Sequence, residues 1–217
     1  MTKTIRFDID TQHDFCRPNG ALYVKGAEEV IPLVARLNTE AQAHGIPLFG
    51  SVDTHIPHDM EFKQYGGPWP SHCVKGTEGW LKSPTTLLGD FRFIPDSDED
   101  SPYNVSGDAV LYSLNAMKGR VFYFEKSLYS FLANPYAVPT IDALVQFSGY
   151  KTFEVYGVAT DYCVKEAVLG LRERWPSSRV RVVLDACRGV AKDTTEAAIR
   201  EMQEAGAVMV TMADVAR

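Results

Sequence analysis

The sequence predicts an α/β fold: a three-layer α/β/α arrangement around a mostly parallel sheet of about six strands. Two observations predict it. Short runs rich in β-branched and aromatic residues alternate with longer stretches whose apolar residues recur at helical spacing. Polar residues also gather just past the ends of several of these runs, where parallel sheets bind their ligands. The chain has 217 residues, 45% hydrophobic and 23% charged, which suits one core. It is read as a single domain spanning 1–217, with no repeat and no linker.

Thr4 to Asp10 reads as the first strand. Ala27 to His44 follows as a helix, with Val30, Leu33, Val34, Leu37 and Ala41 at helical spacing and Gly45 as its stop. Ile46 to Val52 is the second strand, delivering Asp53 and His55 at its end. From Thr54 to about Gly119 regular patterning breaks down under repeated prolines. The acidic run Asp96-Ser97-Asp98-Glu99-Asp100 reads there as a solvated loop, within an irregular insertion at about 87–118. Alternation then resumes. Arg120 to Glu125 is a strand, Val138 to Phe147 a helix, and Thr152 to Gly157 a strand. Cys163 to Arg174 is a helix and Val180 to Leu184 a strand. Asp193, with Glu196 three residues on, has the capping-box pattern of a further helix, and Ala207 to Thr211 is the last strand.

A formal charge of −6 argues against a broad nucleic-acid surface, so no nucleic-acid partner is expected. No apolar run nears the roughly 18 residues that span a bilayer, and the charged start MTKTIRFDID does not read as a signal peptide. Four cysteines without a C-x-x-C pair exclude a zinc ribbon or thioredoxin-like motif, and free thiols suit a reducing cytoplasm.

Cys163 follows a strand and opens an amphipathic helix. A helix N-terminus favours thiolate, and its N–H groups can hold an oxyanion. A buried structural cysteine is the bland alternative. Asp10 and Lys126 stand at other strand ends. The carboxylate could take the thiol proton and the ammonium could lower the thiol pKa, although a turn-capping aspartate and an exposed lysine would look the same in sequence. Asp53-x-His55, joined by His72, offers a carboxylate and two imidazoles suited to Zn²⁺, Fe²⁺ or Mn²⁺.

Ile9-Asp10-Thr11-Gln12-His13-Asp14-Phe15 and Val158-Ala159-Thr160-Asp161-Tyr162-Cys163-Val164, with Lys126 between them, resemble the motifs of the isochorismatase-like cysteine hydrolases from residue 4 to about 211. The D-x-H triplet and Trp69-Pro70-Ser71-His72-Cys73-Val74 resemble the nicotinamidase branch of that family. The resemblance implies a catalytic Asp10–Lys126–Cys163 set and a cis peptide at Val158–Ala159. It also implies an oxyanion hole from the Ala159 and Cys163 N–H groups.

One divalent metal is implied on Asp53, His55 and His72, with zinc ahead of iron or manganese. His58 is a further candidate ligand, although its gap from His55 is shorter than the family spacing. Phe15, Trp69, Val158 and Tyr162 are implied to line the substrate pocket, with Tyr129 or Phe131 as further candidates. His13 and His44 are expected at the surface, and Cys16, Cys73 and Cys187 as structural thiols.

The implied reaction is hydrolysis of nicotinamide to nicotinate and ammonia through a cysteine thioester. The alternative is a related cysteine amidohydrolase acting on another aromatic amide or a carbamoyl or ureido compound. A non-catalytic binding protein that keeps the motifs is the reading from a different class. The expected partner is a small-molecule amide, and a homo-oligomer would be in keeping with the family.

Overall fold

The computed structural model of the chain describes residues 3–96 and 121–216. Its strands are β1 (Lys3–Ile9), β2 (Leu48–Asp53), β3 (Phe91–Ile94), β4 (Val121–Lys126), β5 (Tyr150–Val158), β6 (Arg179–Arg188) and β7 (Val208–Val210). Its helices are α1 (His13–Cys16), α2 (Ile31–Ala43), α3 (Ala137–Ser148), α4 (Lys165–Arg174), α5 (Lys192–Glu204) and α6 (Met212–Val215). The strands form one seven-stranded sheet in the order β3-β4-β2-β1-β5-β6-β7, and every neighbouring pair is parallel.

The burial of β1 and β2 is nearly continuous rather than alternating, as expected where helices cover both faces of a parallel sheet. The chain moves one way along the sheet from β1 to β2 and the other way from β4 through β7. Right-handed crossovers then put α2 on one face and α3, α4 and α5 on the other. On the α2 face, the buried Arg6 donates to Leu37 O at 2.6 Å and Val215 O at 3.0 Å, and pairs with Glu154 at 2.9 Å. On the opposite face Phe7 packs against Phe131 and Phe153 in the main apolar core.

The direction of travel reverses around β1, which makes its carboxyl end the switch point where an open α/β sheet presents a crevice. Register does the rest. Ile9 lies opposite Ser51 on one side and Gly157 on the other, and Asp53 lies opposite Lys126. Gly157 has φ +124°, and a Cβ there would stand 2.1 Å from Ile9 O, so only glycine lets β5 lie this close to β1.

Several expectations change. The sheet has a seventh strand, β3, inside the segment read as irregular. Residues 97–118 of the insertion, with the acidic run beyond Asp96, lie outside the described residues. The long first helix is broken into a 3₁₀ turn at Ala27–Glu29 and α2, whose first turn carries Pro32 where a missing N–H costs nothing. The capping box at Asp193 does not form. The helix begins one residue earlier, with Ala191 as its cap, and Thr195 returns its hydroxyl to Ala191 O at 2.6 Å. Gly45 does end its helix, in the left-handed region at φ +62° with open space around it, and Gly149 does the same at φ +71°.

Candidate active site

Asp10 is the first residue past β1 and has a positive φ of 46°. It is fully buried, its N–H donates to Ser51 O at 3.2 Å, and its Oδ1 accepts from Ser51 Oγ at 2.7 Å. Its Oδ2 lies 2.9 Å from Lys126 Nζ but off the axis of a hydrogen bond, so this oxygen is held by charge and remains open to a proton. Lys126 ends β4 and is 1% exposed. Its ammonium donates to Asp53 Oδ1 at 2.8 Å and stands 3.5 Å from Cys163 Sγ. Burial works against this charge, but Asp10 and Asp53 together lift the Lys126 pKa well above its usual value. The three residues predicted as a set are therefore in mutual reach.

Cys163 does not sit at the start of a regular α-helix. The peptide Val158–Ala159 is cis, as expected, and Thr160–Val164 forms a wide π turn ahead of α4. Ala159 O accepts from both Tyr162 N and Val164 N at 3.1 Å, which ties the turn together. The expected depression of the thiol pKa is not found. Burial first, and then the negative charges of Asp10 and Asp53, push the Cys163 thiol well above its usual value, against the pull of Lys126. Cys163 therefore holds its proton more tightly than a free cysteine does, with the Lys126 ammonium 3.5 Å from its sulfur.

Asp53 divides its oxygens. While Oδ1 takes the Lys126 bond, Oδ2 lies 3.1 Å from His55 Nε2 and 3.3 Å from His72 Nε2. All three are buried and their ligand atoms converge. Each imidazole is oriented through its other nitrogen: His72 Nδ1 donates to Pro70 O at 2.8 Å, and His55 Nδ1 meets Asp59 Oδ2 at 2.8 Å. Two Nε2 atoms and a carboxylate oxygen facing one point, with their outer nitrogens engaged, fit a divalent transition metal. Burial alone would lower the His55 pKa, but Asp53 and Asp59 raise it to about 9. Asp53 itself is held well below the carboxylate range by Lys126 and both imidazoles, despite its burial. His58 does not join this group: it is exposed and bonds Tyr65 OH at 2.7 Å. Glu61, unremarked in the sequence reading, does approach, with Oε2 at 3.6 Å from His55 Nε2.

Beside this cluster lies a cleft of about 480 Å³, its open mouth included, lined by Asp53, His72, Glu61, Cys163 and Ala159 at one end. Phe15, Trp69, Tyr162 and Tyr129 form its aromatic wall, and Leu22, Val24 and Val190 complete it. Trp69 Nε1 donates to Tyr129 OH at 3.1 Å and meets the Tyr162 ring edge-on at 5.5 Å, which fixes the wall. Two predicted lining residues are elsewhere. Val158 is fully buried in a small apolar cluster with Phe15, Cys16 and Val24, and Phe131 is in the main core against Phe124 and Phe7. His13, expected at the surface, is 7% exposed in helix α1, whereas His44 is exposed. Cys16, Cys73 and Cys187 are buried free thiols.

Asp161 also escaped notice. Two residues before the nucleophile, it accepts from Val190 N at 2.9 Å, Ala191 N at 3.3 Å and the Thr194 hydroxyl, fastening the loop that carries Val190 to the nucleophile turn. The sequence signal was an acidic residue in the first turn of a helical segment, which is too common to single out.

Residues 99–214 match the Isochorismatase domain family. The chain is 30% identical over 205 residues to the nicotinamidase/pyrazinamidase of Mycobacterium tuberculosis, covering 93% of this chain and 95% of that protein. The fold recurs in the pyrazinamidase of Pyrococcus horikoshii in complex with zinc, with a TM-score of 0.70 and 23% identity over 96% of this chain and 99% of that one. It recurs also in PnC1 of L. infantum in complex with nicotinate, with a TM-score of 0.72 and 21% identity over 98% of this chain and 94% of that one. From its matched domain and this full-length likeness, the chain belongs to the isochorismatase-like hydrolases, and within them to the nicotinamidase-type amidohydrolases.

Proposed function

We propose that this protein hydrolyses nicotinamide to nicotinate and ammonia, with Cys163 as nucleophile and Asp10 as its proton-transfer partner. The observation that carries this reading is one shared cleft. Cys163 opens on it from the Asp10–Lys126–Cys163 set, and Asp53 and His72 open on it from the candidate metal cluster. The activity named for the M. tuberculosis relative, the zinc of the P. horikoshii protein and the nicotinate of the L. infantum protein support it.

Asp53 Oδ2 and the Nε2 atoms of His55 and His72 would hold one divalent ion, zinc ahead of iron or manganese. Bound there, such an ion would supply Lewis-acid chemistry toward a donor nitrogen of the substrate. The ring lies along Phe15, Trp69, Tyr162 and Tyr129, which leaves the carboxamide at Cys163.

Asp10 Oδ2, which has no hydrogen-bond partner of its own among the described residues, takes the thiol proton as Sγ attacks the amide carbon. Lys126 steadies the charge passing between carboxylate and sulfur. The Ala159 and Cys163 N–H groups receive the oxyanion. Asp10 then gives the proton to the amide nitrogen, the C–N bond breaks, ammonia departs and a thioester remains. Asp10 next removes a proton from water as its oxygen attacks the thioester carbon. The C–S bond breaks, the sulfur regains the proton and nicotinate leaves. The four free cysteines support setting this chemistry in a reducing cytoplasm. Among the described residues no helix is long and apolar enough to cross a membrane.

The test is ammonia release from nicotinamide by purified protein, before and after chelation and after reloading with Zn²⁺, Fe²⁺ or Mn²⁺. Release that disappears with the metal and returns with it is expected. No release from fully loaded protein rejects the substrate, and near-normal turnover by Cys163→Ala rejects the mechanism.

A further inference from the structure

We infer that Gln12 and Asp14, on the turn just past Asp10, are positioning residues that hold the backbones bearing Asp53, His55 and His72 in metal-binding register. The inference rests on the metal cluster proposed above.

Gln12 is fully buried, and its side-chain amide behaves like a piece of strand laid against Asp53. Its Oε1 accepts from Asp53 N at 2.7 Å, while its Nε2 donates to Asp53 O at 2.8 Å and to Trp80 O at 2.8 Å. Asp53 ends β2 opposite Lys126 of β4, but it lies past the last β1–β2 pair at Ser51, so on that side its N–H and C=O find their partner in Gln12 rather than in a strand. That matters because its two carboxylate oxygens have different duties, one toward Lys126 and one toward the imidazoles. A small rotation would weaken both together.

Asp14 does the corresponding work for the other two ligands. Its Oδ2 accepts from Cys73 N at 2.8 Å and its Oδ1 from Ala21 N at 3.0 Å. Cys73, the neighbour of His72, is held at a positive φ of 47°. Cys73 O in turn accepts from His55 N at 3.1 Å, so one carboxylate fixes a relay that reaches both histidines. Gly79 packs flat against this carboxylate, and a Cβ there would fall 2.1 Å from Asp14 Oδ2. Neither Gln12 nor Asp14 belongs to the converging ligand group, and neither lines the cleft. Their hydrogen bonds go to the ligand-bearing backbone itself, the role in which supporting residues alter metal affinity by roughly 10- to 100-fold.

The experiment uses the full chain, stripped with a chelator and titrated with Zn²⁺ against a chromophoric competitor. Circular dichroism and thermal unfolding are recorded on the same samples. Gln12→Ala, Asp14→Ala and Gly79→Ala are compared with Asn38→Ala. The last removes a buried amide bonded to Asp8, Thr86 and Tyr156, away from the cluster, and controls for a general loss of stability. The expected result is a loss of zinc affinity of about 10- to 100-fold for Gln12→Ala and Asp14→Ala. Gly79→Ala should change in the same direction, and Asn38→Ala should lower the melting temperature with zinc affinity unchanged. Folded Gln12→Ala and Asp14→Ala variants that bind zinc as the parent does would overturn the inference. A parent that binds no zinc overturns the metal reading instead. Should an alanine variant not fold, Gln12→Glu and Asp14→Asn each keep the size and one hydrogen bond, and unchanged affinity in those overturns it equally.

Discussion

Replacing Lys126 by methionine removes one buried positive charge from between two buried carboxylates and keeps all but the last atom of the side chain's length. With Nζ 2.9 Å from Asp10 and 2.8 Å from Asp53, each attraction is worth roughly 6 kcal/mol at an effective dielectric of about 20. Most of this is offset by the desolvation of three charges, so the gross figure overstates the effect. What is left behind decides the outcome, since breaking a buried pair from one side costs about 3–5 kcal/mol. At roughly 2–4 °C per kcal/mol for a chain of this size, Lys126→Met should melt about 6–20 °C lower than the parent. Asp10→Asn in the same chain removes one of the stranded charges. The double variant should then recover about 1–3 kcal/mol relative to the sum of the singles. Urea and thermal unfolding of metal-free protein measure both quantities. Turnover by the folded fraction should fall by at least roughly 10²–10³, the size seen when one charge-stabilising donor is lost. A melting temperature within about 2 °C of the parent, or strict additivity in the double variant, would refute the claim that Lys126 neutralises this pair.

Trp69→Ala removes one face of the cleft and the partner of Tyr129, so KM for nicotinamide should rise about tenfold with kcat little changed; an unchanged KM would place the ring elsewhere. Cys163 is the cysteine that lines the cleft, so mass spectrometry after iodoacetamide should find it modified first, ahead of Cys16 and Cys187, whose thiols burial pushes up to about 12. The same raised values have a consequence for stability. The contribution of each thiol is complete below its unfolded value near 9 and is lost as pH rises from 9 toward 12. The unfolding free energy from urea titration should therefore fall by up to about 1.4 kcal/mol per pH unit for each thiol over that window; values flat from pH 8 to 11 would contradict the burial of these groups.

The parallel sheet was legible because its strands are apolar almost throughout and end in chemistry-bearing residues, so Asp10, Asp53, Lys126 and Cys163 could be gathered on one edge before any coordinates. Strand β3 was not, because four residues carry too little periodicity inside a proline-rich stretch. His58 was drawn in by type and proximity in sequence. Spacing says little about direction after a strand, and its ring turns outward to Tyr65 while Glu61 turns inward. Val158 and Phe131 failed for a related reason. Both adjoin site residues, but adjacency along the chain does not fix which face a side chain takes. The raised thiol of Cys163 was illegible because it reflects three-dimensional burial and two carboxylates brought in from other strands. Gln12 and Asp14 lay inside a recognised motif, yet their partners are backbone groups, which leave no mark in a sequence.

The catalytic and metal-binding candidates lie where strands end, and among the described residues the opposite edge carries the returns from α2 to β2 and from α3 to β5. Gly45 and Gly149 mark these two returns, and each has empty space where a side chain would go. A tether, dye or affinity handle attached beside these glycines, rather than in place of them, would stand about a strand's length from the cleft. The molecule could thus be fixed to a surface by its blank edge with the entrance for small amides facing the solution.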